Sequence, residues 1–78
     1  MDYGTRLKVM RLARGMKQQD LEVQLGLSYA ALSPIEQNRT LPAPELEQAI
    51  RLALNWTEVE DQALELLARA VVTEEATP

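Results

Sequence analysis

Glu58, Asp61 and Glu65 follow one another at i, i+3 and i+4 spacings, which on a helix sets three carboxylates along one side. Carboxylates grouped this way can hold a divalent cation or share acid–base work. The sequence has no histidine and no cysteine, which removes the commonest general base, the commonest neutral metal ligand, any thiolate site and any disulfide. The three carboxylates are therefore read as a solvated acidic face. No nucleophile–base pair stands out, so an enzyme is the weakest reading. No catalytic residue, metal or cofactor is expected.

The cations offer different chemistry. Arg6, Lys8, Arg14 and Lys17 could contact phosphates, or could form a solvated helix face. Net charge is −4, unevenly spread. Residues 1–44 carry six basic and four acidic groups, whereas residues 45–78 carry two basic and eight acidic ones. An anionic partner would meet the N-terminal half. Tyr29 could stack on a base or sugar, or anchor a protein partner.

These side chains must be positioned by helices, because apolar spacing is helical nearly throughout and β-branched residues are sparse. Helix 1 is expected over 5–13, with Leu7, Val9, Met10, Leu12 and Ala13 filling a broad side and Gly15 breaking it. Helix 2 spans 18–25, with Leu21 and Leu25 inward, Lys17 a poor N-cap and Gly26 the stop. Ser28 caps helix 3, which runs to about Gln37, with Leu32 and Ile35 inward and Asn38 closing it. A proline-stiffened loop, 39–44, leads to helix 4, started by Pro44 and stopped by Asn55. Leu46, Ala49, Ile50, Ala53 and Leu54 form its inner stripe. Thr57 and Glu60 form a capping box for helix 5, which runs to about Val72 with Val59, Ala63, Leu66, Leu67, Ala70 and Val71 on one side. Trp56 reads as a core plug, or less readily as a dimer contact.

The result is an all-α, compact five-helix bundle. At 78 residues it is a single domain, residues 1–72, followed by a flexible acidic tail, 73–78. A core this small gains from dimerisation, and the far end of helix 5 (Leu66, Leu67, Ala70, Val71) could pair with a second subunit. No signal peptide and no membrane span are read in the sequence, and a cytoplasmic location fits the lack of cysteine.

Two short helices joined by a link around a glycine make a helix-turn-helix, here 18–38. Leu21, Leu25, Gly26, Leu27, Ser28, Leu32 and Ile35 meet its packing and turn requirements. The stretches 12–21, 25–28 and 32–42 resemble the Xre / lambda-repressor-like (Cro/repressor-type) family, and the likeness covers about residues 5–60. The resemblance implies a DNA-binding transcription regulator of phage, plasmid or bacterial type, acting as a homodimer on an inverted-repeat operator in double-stranded DNA. By position, Gln18 stands where the family holds a phosphate or base, and Lys17 beside it is a further candidate DNA contact. Ser28, Tyr29, Ala30, Ser33 and Pro34 stand where it faces the major groove. Gln37, Asn38, Arg39 and Thr40 stand in its phosphate loop. Arg11 and Glu36 resemble its internal ion pair.

Three features depart from the family pattern. Glu22 stands where alanine is usual. Tyr29, Ala30 and Ala31 replace polar base readers, leaving Ser28, Ser33, the Tyr29 hydroxyl and an Ala30–thymine methyl contact for readout. Pro34 lies inside the expected helix 3, on its outer side. An apolar helix 3 face beside an acidic C-terminal half also fits a second reading, an antitoxin-like or host-protein-binding interaction module on the same fold.

Overall fold

The computed structural model describes the backbone of residues 1–76 and the side chains of residues 1–70. The described residues form α1 (Tyr3–Ala13), α2 (Gln18–Leu25), α3 (Ser33–Glu36), α4 (Pro44–Leu54) and α5 (Glu58–Ala76), with no strand. The five-helix, all-α architecture expected from the periodicity is therefore present. Leu7, Met10, Leu21, Leu32, Ile35, Ile50, Leu54, Trp56 and Leu64 make up one core.

α1 begins at Tyr3, and its inward positions are Leu7, Met10 and Arg11. That i, i+3, i+4 stripe leaves Leu12 off the core, 58% exposed, and Ala13 exposed as well, so the broad apolar side expected for helix 1 is narrower. The helix reaches α3 through Gly4. A Cβ there would lie 2.1 Å from the Ile35 carbonyl oxygen and 2.8 Å from that of Glu36. The Gly4 N–H donates to Asn38 Oδ1 at 2.9 Å. The start of α1 is thus capped by a residue far along the chain, which local patterns do not reveal.

α2 matches its expected range. Gly26 adopts φ 70°, as a helix stop requires. Lys17 offers no acceptor, but its own N–H is taken by Asp20 Oδ2 at 2.9 Å, half of a capping box.

The helix expected from Ser28 to Gln37 is not one helix. Residues 29–32 form turns, Ala30 has φ 64°, and α3 is limited to Ser33–Glu36. Proline is tolerated in the first helical turn, where its missing N–H and ring do no harm; deeper in, the ring meets the carbonyl four residues back. Pro34 therefore requires a helix starting beside it, and Ser28 caps nothing. Asn38 does close α3, with φ 61°.

α4 begins at Pro44 and stops at Asn55, φ 49°. α5 carries the expected capping box: Thr57 N–H to Glu60 Oε1, 3.2 Å, and Glu60 N–H to Thr57 Oγ1, 3.4 Å. Its orientation differs from expectation. Leu64 faces the core, whereas Val59 is 72%, Leu66 65% and Leu67 54% exposed, with Ala63 and Ala70 exposed too. The face turned inward is charged. Asp61 accepts from Trp56 Nε1 (2.9 Å) and Arg51 Nη1 (3.0 Å), Glu60 pairs with Arg14 (2.7 Å) and Glu65 pairs with Arg6. Asp61 and Glu65 are thus arginine partners, not members of a solvated acidic face. α5 continues to Ala76, without a break at the expected boundary near residue 72. The Val71 side chain and the last residues of the expected tail lie outside the described residues. Among the described residues no helix is long and apolar enough to cross a membrane.

Trp56 plugs the core at 4% exposure. It stacks on Tyr3, ring centroids 5.6 Å apart, with the Arg51 guanidinium 4.5 Å from its ring. The Tyr3 hydroxyl is buried without a hydrogen-bond partner among the described residues. Burial pushes its phenol up to about 12, and Glu47 adds to the effect. A raised native value favours the fold below the ordinary value of 10.0, and that contribution is lost as pH rises toward about 12.

Two outcomes are expected. Gly4→Ala should destabilise the fold by about 1–3 kcal/mol in urea unfolding, the overpacking range, although helix propensity alone predicts a gain of about 1 kcal/mol. In a Tyr29→Phe protein, which leaves Tyr3 as the one tyrosine, phenolate absorbance should appear only near pH 12. A midpoint at the ordinary value with the fold intact would mean the ring is not buried.

Candidate nucleic-acid interface

The arrangement of this surface depends on Arg11. Its Nε and Nη2 donate to the two Glu36 carboxylate oxygens at 2.7 and 2.9 Å, and Nη1 donates to the Met16 carbonyl at 2.8 Å. Arg11 is 7% and Glu36 9% exposed. The hydrogen bonds it donates to Glu36 hold the guanidinium even more firmly protonated than usual. One side chain thereby fixes α1 to the end of α3 and to the link preceding α2.

Glu22, on the inner side of α2, is 2% exposed. Its Oε1 accepts the Ala30 N–H (3.2 Å) and its Oε2 the Leu32 N–H (3.0 Å). The turns at 29–32 cannot satisfy these two amides by helical bonding, so the carboxylate does. The remaining turn bonds run Ala31 N–H to Ser28 C=O and Ser33 N–H to Ala30 C=O, both 3.2 Å.

Two shallow depressions adjoin on the resulting surface. One is lined by Lys17, Gln18, Gln19, Glu22, Tyr29, Ala30 and Ser33. The other is lined by Lys8, Arg11, Gln18, Ser33, Glu36 and Gln37. Gln18 and Ser33 belong to both, so the start of α2 and the start of α3 form one continuous face. Tyr29 stands out from it, 84% exposed. Ser33 Oγ accepts from Gln37 Nε2 at 3.0 Å, which orients that amide.

Of the residues singled out in the sequence, Lys17, Gln18, Tyr29, Ala30, Ser33 and Gln37 line this face. Ser28, Asn38, Arg39 and Thr40 are exposed but line neither depression. The Asn38 amide is engaged with α1: Oδ1 accepts from Gly4 N–H and Nδ2 donates to Thr5 Oγ1 at 3.3 Å. Lys8 and Gln19 join the face, and the sequence had placed Lys8 only among equivocal cations.

The cations divide into two groups. Arg6 bonds the Met1 carbonyl and pairs with Asp61 and Glu65. Arg14 donates to the Leu54 carbonyl (2.8 Å) and the Asn55 carbonyl (3.2 Å), closing the end of α4, and pairs with Glu60. That pairing holds the Glu60 carboxyl below its ordinary value, with the Thr57 N–H assisting. Lys8, Lys17 and Arg39 make no ion pair among the described residues. The charge available to an anionic partner is thus concentrated near the α2–α3 face, while acids of α5 neutralise arginines elsewhere.

A family model described as a helix-turn-helix domain matches residues 2–76, nearly the whole chain. No curated protein and no solved structure matches the sequence.

Arg11→Ala should cost about 3–5 kcal/mol in chemical unfolding, because it leaves the Glu36 carboxylate buried and unpaired. Arg11→Lys should recover only part of this, since an ammonium cannot reproduce the planar fork. A loss below about 1 kcal/mol for Arg11→Ala would place the pair in the class of surface ion pairs.

Proposed function

The chain belongs to the helix-turn-helix domain family, and on that premise we propose that it is a small DNA-binding transcription regulator of phage, plasmid or bacterial type, recognising a short inverted repeat as a homodimer. The observation that carries this reading is the convergence of unpaired Lys8 and Lys17 with Gln18, Ser33 and Gln37 on the continuous α2–α3 face. Phosphate contacts from Lys17 and Gln18, with Arg39 at the edge, set the register on the duplex. Tyr29, Ala30 and Ser33 meet the major groove through methyl and hydroxyl contacts. With few donors and acceptors for direct readout, DNA shape carries much of the specificity. The exposed Leu66, Leu67 and Ala70 of α5 support pairing of two copies through that helix.

A second reading draws on Tyr29, whose 84% exposure makes it a ready aromatic anchor for a protein groove. It is an interaction module of antitoxin-like or host-protein-binding type.

Fluorescence anisotropy with duplex DNA from upstream of the protein's own gene, at two salt concentrations, separates the readings. Saturable, salt-sensitive binding is expected. Lys17→Ala should weaken it and reduce the slope of log K against log salt by about 1. Sedimentation should show a dimer that Leu66→Glu dissociates. No saturable binding even at low salt would reject the regulator and leave the protein-interaction module.

A further inference from the structure

Glu22 on α2 and Pro34 on α3 lie on different elements, and the structure joins them in one device. Pro34 confines α3 to a start at Ser33. The preceding residues must then turn, and Ala30 takes φ 64°, a left-handed conformation that a residue with a Cβ seldom adopts. The turn strands two amides, Ala30 N–H and Leu32 N–H, the second of them in a buried residue. Both are taken by the one Glu22 carboxylate, at 3.2 and 3.0 Å. Alanine at this position would supply no acceptor.

We infer that Glu22 is the positioning residue of the DNA-reading segment, and that its role exists because of Pro34. The inference rests on the proposed DNA-binding function. Glu22 lies at the floor of the α2–α3 depression: at 2% exposure it acts from beneath the surface, holding the backbone of Ala30 and Leu32. Tyr29 and Ser28 are thereby carried outward on a rigid turn instead of on the first turn of a regular helix. The presenting element differs in shape from a recognition helix, and its base contacts come from a turn whose geometry is locked by one buried anion.

A double-mutant cycle tests the coupling. Glu22→Ala, Pro34→Ala and the double variant are compared by urea unfolding, by amide hydrogen exchange at Ala30 and Leu32, and by anisotropy with the DNA that the unsubstituted protein binds. Glu22→Ala alone is expected to lower the folding constant at least about tenfold, because the buried Leu32 amide and the part-buried Ala30 amide lose their acceptor. Exchange at Ala30 and Leu32 should accelerate by more than exchange at the amides of the α1 and α4 core residues, and DNA affinity should fall. In the Pro34→Ala background the 28–37 segment can wind into one helix, in which the Leu32 N–H bonds to the Ser28 carbonyl. There the same substitution should cost at least about tenfold less, and helical circular dichroism should rise by about one turn. Glu22→Gln, which keeps one acceptor oxygen, should fall between the wild type and Glu22→Ala.

Equal losses in both backgrounds, or unchanged exchange at Ala30 and Leu32, would overturn the inference. Normal DNA affinity in a folded Glu22→Ala protein would overturn the positioning role. Failure of the unsubstituted protein to bind DNA while the coupling persists would overturn the functional reading alone, because folding and exchange are measured without DNA.

Discussion

The buried fork between Arg11 and Glu36 is the contact on which the remaining geometry depends. Taking two charges from water is unfavourable, and is offset only when geometry is good and the spare hydrogen bonds are satisfied. Here two short hydrogen bonds join the pair, and the third donor of Arg11 finds the Met16 carbonyl. Because Glu36 is the last residue of α3 and Met16 lies in the link before α2, the pair fixes the spacing of the two elements that make the α2–α3 face. Gly4 and Asn38 reinforce it from the side, letting α1 approach the α3 carbonyls as closely as backbone allows.

A second theme is the division of charge. The acidic half of the sequence invites a picture of a free negative surface, but Glu60, Asp61 and Glu65 are turned toward Arg14, Arg51 and Arg6. These arginines leave the pool available to a polyanion. Lys8, Lys17 and Arg39 remain, two of them beside the α2–α3 depressions. Net charge alone therefore says little about partner choice in a protein of this size; the pairing pattern decides which charges a partner meets. The same orientation of α5 buries Leu64 but leaves Val59, Leu66 and Leu67 exposed.

α2, α4, Gly26, Asn38, Asn55 and the Thr57–Glu60 box were legible in the sequence because caps, stops and the 3.6-residue period act over a few residues. The inner stripe of α5 was not. Its apolar positions spell an amphipathic helix, but the side that meets the body of the protein carries Leu64 together with carboxylates that Trp56 and three arginines engage. Periodicity identifies a stripe and says nothing of which side meets the body of the protein. Glu22 was visible as an anomaly, yet its use required knowing where the 30–32 amides lie.

The helix-turn-helix itself shows where the boundary falls. The sequence by itself determined that two elements flank Gly26, that Leu21, Leu32 and Ile35 are their packing residues, and that Pro34 sits where a long second helix would suffer; all of these are local sterics and spacing. Only the tertiary structure decided that the second helix shrinks to Ser33–Glu36 and that the preceding residues turn through a left-handed Ala30. That choice depends on an acceptor for two stranded amides, and the acceptor is a carboxylate on a different helix, brought within 3.2 Å by packing alone.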